Sequence, residues 1–298
     1  MLFGSSGSLV GVVTEPDAPD ASRPAFLFLN AGVTHHVGPN RLYVQLARAL
    51  AEDGFTSLRF DYSGLGDSGV RPDELPAWKS VGLETTEAME LLTSTRGIER
   101  FIPIGICSGA INAYLAARED PRTVGAVLIN GQGHLHGTDP ELSAQLRART
   151  LSRHYRRIAL FSSYRAKNWR KAFGGQLSVG RILQMMVGVP MGVLRGLFGK
   201  RAAPADAPDP EADLRAIGAR GTRLFHLYCE GDEGLDYFHV VLGGKLKDVA
   251  STETARFEII LGANHVFSLL WTQERCVDMV RDWARSLPTA AAAGDSER

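Results

Sequence analysis

Phe101-Ile102-Pro103-Ile104-Gly105-Ile106-Cys107-Ser108-Gly109-Ala110 decides how this chain is read. The stretch reads as a short apolar strand, a tight turn flanked by glycines, and the first turn of a helix. That is the G-x-Nu-x-G layout of a nucleophile elbow, which forces its central residue into an exposed, strained corner. Glycine is needed on both flanks because a side chain there would collide across so sharp a strand-to-helix turn. The central residue is Cys107, where serine is usual. The following helix brings its N–H groups and positive dipole end to the corner, which favours a thiolate and, during reaction, an oxyanion.

A nucleophile at this corner works with an acid and then a histidine, in that chain order. Arg223–Cys229 reads as a strand, and the acids Asp232 and Asp236 follow it. Asp232 lies nearer the strand end and is the preferred partner; Asp236 is the alternative. Phe257–Leu261 reads as another strand, followed by Gly262-Ala263-Asn264-His265. His265 then opens an expected helix running through Trp271, Val277, Met279, Val280 and Trp283. Cys107, Asp232 and His265 therefore stand in the required order, each beyond a strand end. The chemistry follows from the residue types. Asp232 holds the imidazole tautomer, His265 takes the thiol proton, and the Cys107 thiolate attacks a carbonyl carbon.

On these motifs the chain resembles the α/β-hydrolase superfamily over most of its length. The resemblance implies a mostly parallel central sheet with helices on both faces and an inserted helical lid. Ala25–Leu29 leads into Asn30-Ala31-Gly32-Val33, at the place of the first oxyanion loop. The resemblance carries the oxyanion role onto the backbone N–H groups of Val33 and Ser108; the Ser108 hydroxyl has no part in it. Asn40 is expected to cap a helix bearing Leu42, Leu46 and Leu50 and ended at Gly54. After the strand Thr56–Phe60, Asp61-Tyr62-Ser63-Gly64-Leu65-Gly66-Asp67-Ser68 resembles the superfamily's D-x-x-G-x-G-x-S loop, with Asp61 fixing its own loop. The pattern with Gly38-Pro39-Asn40-Arg41 also resembles hydrolase-like proteins encoded with exosortase systems. Cysteine at the elbow resembles acyltransferases and thioesterases of nonribosomal peptide assembly, and dienelactone hydrolases as well.

Composition fits one such domain. The chain has 298 residues, enough for one α/β domain with an insertion, and 44% hydrophobic content supports a sizeable core. Its three cysteines, Cys107, Cys229 and Cys276, form no disulfide framework and fit a reducing, cytoplasmic setting. Cys229, inside a strand, reads as core. No Cys/His spacing suggests a metal, and no cofactor is expected. Met1–Gly11 lacks a signal-peptide pattern, and no apolar run is long enough to span a membrane. His35 and His36, just past the oxyanion loop, read as surface or supporting groups, with a pocket-lining role for one of them as the alternative.

About ninety residues separate the strand Gly125–Ile129 from the strand at Arg223, more than a crossover needs. The expected division is core 1–133, helical lid 134–216, core 217–288 and a disordered tail 289–298. From Leu142 to Ala205 there are thirteen Lys or Arg and no Asp or Glu. Since the chain carries 33 basic and 33 acidic residues, everything outside that window holds 20 basic against 33 acidic. Most charge runs are solvated faces. A run of this length without acids favours a landing site for an acidic partner, with Arg153, Arg156, Arg157, Arg165, Lys167, Arg170 and Lys171 at its centre. Met185 and Met186 lie in an apolar run after it; with Tyr164 and Trp169 they are lid packing or shape an acyl site.

The expected enzyme is thus a thioesterase or acyltransferase acting through an acyl-cysteine on carrier-protein or coenzyme A-type thioesters. The partner is an acidic acyl or peptidyl carrier protein, a phosphate-bearing thioester, or an anionic membrane surface, and not nucleic acid. The alternatives are an esterase, lactonase or amidase for a small apolar substrate and, last, a non-catalytic binding protein.

Overall fold

Six runs bounded by turn residues become the parallel strands. The computed structural model describes residues 1–73, 75–131, 210–236 and 254–288. In chain order these form β1 (Leu2–Phe3), β2 (Leu9–Thr14), β3 (Ala25–Leu29), α1 (Leu42–Glu52), β4 (Ser57–Phe60), α2 (Ala77–Arg96), β5 (Phe101–Ile106), α3 (Ser108–Glu119), β6 (Gly125–Ile129), α4 (Pro210–Ala219), β7 (Arg223–Cys229), β8 (Ala255–Ile260) and α5 (Leu270–Arg285). The strands make one sheet of order β1-β2-β4-β3-β5-β6-β7-β8. Strands β3 to β8 pair in parallel, while β2 runs antiparallel to β4 and to β1.

Helices cover both faces, so the central strands β3, β5 and β6 are apolar at every position rather than at alternate ones. Phe26, Phe28, Ile102, Ile104, Val127 and Ile129 pack with α1 and α5 on one face. Leu27, Leu29, Ala126 and Leu128 point the other way and pack with α2, α3 and α4. Leu42, Leu46 and Leu50 of α1 are fully buried, as their spacing predicts. Across that layer Asp53, at the end of α1, accepts from Arg281 (2.7 Å) and Arg285 (2.6 Å) of α5.

Three local expectations are revised. His265 does not open a helix: α5 begins at Leu270. Phe267 takes a left-handed φ of 53°, and the Asn264 side chain caps the turn by accepting from Ser268 N–H at 3.0 Å. Asn40 does not cap α1. It has φ 51°, Arg41 occupies the N-cap, and the Asn40 amide reaches 226 residues along the chain to donate to Val266 O at 2.8 Å. Residues 210–216 fall at the end of the expected lid, yet they begin α4, whose Leu214 and Ile217 sit in the core cluster around α3. The rest of the lid region, including Trp169, Tyr164, Met185, Met186 and the seven basic docking positions, lies outside the described residues, as does the tail 289–298.

The join between β5 and α3 is too tight for side chains. A Cβ on Gly105 would run into the backbone of Gly109, and a Cβ on Gly109 would sit 2.6 Å from Leu29 O. Gly82 in α2 has nothing within 4 Å of such an atom. Gly109→Ala is therefore expected to lower unfolding stability by about 1–3 kcal/mol. Gly82→Ala should raise it by roughly 0.5–1 kcal/mol. Paired urea titrations of the two variants check the contrast.

Candidate active site

The tight join places Cys107 between the end of β5 and the start of α3 at φ 58°, ψ −118°. A non-glycine residue in this region is strained, and the strain is held by the surroundings. Cys107 N–H continues the sheet ladder by donating to Ile129 O at 2.9 Å. Beneath the corner the buried Tyr43 hydroxyl donates to Leu29 O and accepts from Ile106 N–H, both at 2.9 Å, tying the ends of β3 and β5 together. The sequence reading missed Tyr43, which sits between two core leucines on an apolar helix face.

Cys107, His265 and Asp232 meet in one hydrogen-bonded chain. His265 Nδ1 lies 2.6 Å from Asp232 Oδ2, and its side chain is also hydrogen-bonded to the Cys107 thiol. Asp232 is buried and accepts from Gly234 N–H at 2.8 Å through its other oxygen. Asp236 lies one turn further on, its N–H donating to Asp232 O at 3.4 Å, and is not a described partner of His265. Of the two acids considered, the structure brings Asp232 to the histidine.

Asn130 supports this arrangement and carries no motif signal. It stands at the end of β6 with φ 51°, in the left-handed region that asparagine tolerates. Its amide donates to His265 O at 2.9 Å and to Cys229 Sγ at 3.2 Å, and its oxygen accepts from Cys229 N–H at 2.7 Å. Cys229 is core, as read, and its thiol donates to Asn264 O at 2.9 Å. The turn carrying His265 is thus held from β6, from β7 and, through Asn40, from the start of α1.

Electrostatics separate the three thiols. The hydrogen bond from His265 draws the Cys107 thiol below its ordinary range, against the opposing effect of burial; the His265 charge and Ser108 N–H add to the lowering. The Asp232 carboxylate and then the Cys107 sulfur raise His265 to about 10. Both shifts act in the same sense, toward the thiolate of Cys107 and the imidazolium of His265. Burial does the reverse elsewhere, pushing Cys229 up to about 12 and Cys276 upward too.

The loop that follows β3 is pinned by Asp61. Burial alone would raise this carboxyl, but hydrogen bonds from His36, Asn30 and the Asp67 amide outweigh it and lower it. Its Oδ1 accepts from Asn30 Nδ2 at 2.8 Å and from His36 N–H at 2.7 Å, and its Oδ2 lies 2.6 Å from His36 Nδ1. Asp61 thus fixes both its own loop and the neighbouring one. His35 stacks on His36 with ring centroids 3.8 Å apart and pairs with Asp67 at 3.0 Å. The donor atoms of His35, His36, Asp61 and Asp67 lie within 4.8 Å of one another, a set with metal-ligand chemistry. Each of the four has a hydrogen-bond partner inside the cluster, which makes it a clamp between the two loops.

Within the clamped loop, Thr34 N–H closes a turn onto Ala31 O at 3.0 Å. Gly32, at φ 59°, turns its N–H to the Ser108 hydroxyl at 2.7 Å, while the Val33 side chain projects into solvent, 85% exposed. Among the described hydrogen bonds, the amide reaching the corner is that of Gly32 and not the expected Val33. The Ser108 hydroxyl, read as idle, is its acceptor.

Alkylation should single out one thiol. Iodoacetamide is expected to label Cys107 alone, with a rate that stays high well below the ordinary thiol range of about pH 8.5. The depressed thiol keeps its thiolate as pH falls, until its own lowered pKa is crossed. His265→Ala removes the main cause of the lowering, so the rate profile should move up toward the ordinary range. A pH series read by intact mass checks both.

The geometry matches known proteins at the level of fold. Residues 26–281 match the model of the alpha/beta hydrolase family. No curated protein matches the chain. Among solved structures, proline iminopeptidase from Mycobacterium smegmatis superposes with TM-score 0.52 at 18% identity, covering 93% of this chain and 94% of that one. Est1E from Butyrivibrio proteoclasticus, with ferulic acid bound, gives 0.55 at 14%, with 95% and 97% covered. Dienelactone hydrolase from Anabaena variabilis gives 0.53 at 14%, with 95% and 94% covered. At these identities the likeness shows the fold alone, while the family model spans most of the sequence: this chain belongs to the alpha/beta hydrolase family and is an enzyme of the hydrolase type.

Proposed function

We propose that the protein transfers acyl groups through a thioester formed on Cys107. The observation that supports this most directly is the continuous hydrogen-bonded chain Asp232–His265–Cys107 at a positive-φ corner. In this reading the thiolate attacks the substrate carbonyl carbon, a C–S bond forms, and the π electrons move to oxygen. Ser108 N–H and an amide of the turn 31–34, Gly32 or Val33, hold that oxygen. The tetrahedral adduct collapses, expels the leaving group, and His265 gives it a proton. A second nucleophile then attacks the acyl-cysteine with His265 acting as base.

Cysteine at this corner favours thioester donors. Exchange of one thioester for another is close to thermoneutral, so the acyl group can return to a thiol, whereas an acyl-serine cannot easily do so. The acid-free stretch 142–205, with thirteen basic residues, suits an acidic carrier protein or a phosphate-bearing thioester such as coenzyme A. Hydrolysis of a small ester or lactone is the second reading. It is favoured by the 40% exposure of the His265 side chain, which leaves water a path to the acyl-cysteine. The likeness to dienelactone hydrolase and to the ferulate-binding Est1E points the same way.

Incubation with a panel of acyl thioesters should give a mass increase equal to one acyl group on Cys107, absent in Cys107→Ala. No adduct with any donor would sink the proposal. Asp232→Asn should retain acylation but slow turnover by about 10²- to 10⁴-fold, because His265 loses its orienting acceptor. If the basic stretch docks an acidic carrier, KM for carrier-bound thioester should rise steeply as salt is raised from about 0.05 to 0.5 M, while turnover of a small neutral thioester holds. Equal salt responses would remove the docking role.

A further inference from the structure

Helices α2 and α3 leave a groove between them of about 1120 Å³ that begins at the reactive corner, with Gly32 and Ser108 among its walls. Two helical stripes form it. On α3 the wall residues Ser108, Asn112, Leu115 and Ala116 recur at helical spacing, so one face of the helix lines the groove from the elbow downward. On α2 the facing stripe is Val81, Thr85 and Met89, each four residues from the last. Leu65 closes the top. A polar belt crosses this surface midway: Tyr62 OH lies 3.0 Å from Thr85 Oγ1 and is hydrogen-bonded to Asn112. The far end opens among Arg118, Glu119 and Asp120. The α2 wall is braced: buried Glu84 accepts from Ser63 N–H at 2.8 Å and pairs with Arg71.

We infer that this groove is the acyl subsite, and that it selects a linear, medium-length acyl chain whose carbonyl lies at Gly32 and Ser108. The inference rests on the reading of Cys107 as the acylated residue. Three features argue for a chain rather than a compact ligand. The groove is continuous with the corner, its exposed wall is more apolar than polar and follows two helical stripes, and it is long. From Ser108 to Ala116 the helix rises about 12 Å, the reach of a chain of roughly ten carbons. Each methylene removed from water in such a groove adds affinity, so preference should climb with chain length and stop where the charged end begins.

Leu115→Trp places a bulky ring across the groove, and Ala116→Phe is a second obstruction should the first fail to fold. The ratio of kcat/KM for decanoyl over acetyl thioesters of N-acetylcysteamine is expected to fall at least tenfold in either variant. A ratio within twofold of wild type, in a variant with wild-type unfolding midpoint, overturns the inference. A binding arm separates it from the chemistry. Calorimetry on Cys107→Ala should show decanoate binding at least tenfold tighter than hexanoate, with the difference lost on adding Leu115→Trp. If wild type forms no acyl adduct but this pattern holds, the groove stands and the acyl-transfer reading falls. If the two carboxylates bind alike, or neither binds because the groove is filled by the protein's own chain, the subsite is wrong even where Cys107 is acylated.

Discussion

Helix α3 approaches β3 and β5 so closely that neither Gly105 nor Gly109 has room for a Cβ. Most of what matters chemically follows from that contact. The chain can leave the strand and enter the helix only through one residue at positive φ, and that residue is Cys107. The sulfur is carried above the sheet rather than into it, where burial has raised the other two thiols. The same contact brings the helix's first amides to the sulfur and sets Ser108 beside the neighbouring loop. A looser join would be easier to fold but would return the thiol to an ordinary turn.

The imidazole is fixed by backbone as much as by its acid. Its turn is held by Asn130 from β6, by the Cys229 thiol from β7 and by Asn40 ahead of α1. These are neutral hydrogen bonds to carbonyls, each worth about 1 kcal/mol net, and their effect is to restrict where the ring can stand. Raising His265 to about 10 while lowering Cys107 depends on that restriction, because both shifts come chiefly from directional hydrogen bonds and not from burial.

The parallel core was legible because both faces of its strands are covered, so Ala25–Leu29, Gly125–Ile129 and Arg223–Cys229 show as apolar runs with little alternation. The elbow was legible because steric need leaves glycines at fixed spacing. Tyr43, Asn130 and Asn40 were not, since each acts through a bond to residues far along the chain and local patterning carries no trace of such partners. The start of α5 was misplaced for a related reason: helical periodicity from Trp271 onward extends backward on paper, but Phe267 breaks the path. Asp232 could be set ahead of Asp236 because distance from a strand end is a local quantity, and it is Asp232 that lies 2.6 Å from His265.

Ser108 also acts as a standing reference for what the corner accepts. Its hydroxyl holds the Gly32 amide at 2.7 Å. A substrate oxygen arriving at that amide does not gain a new hydrogen bond; it exchanges one for another. A neutral carbonyl is about as good an acceptor as a hydroxyl, so binding it there returns almost nothing. An oxygen bearing negative charge forms a bond roughly twice as strong and wins the exchange. A side chain one place past Cys107 thereby subtracts the neutral acceptor from the ledger, leaving the amide to respond to negative charge.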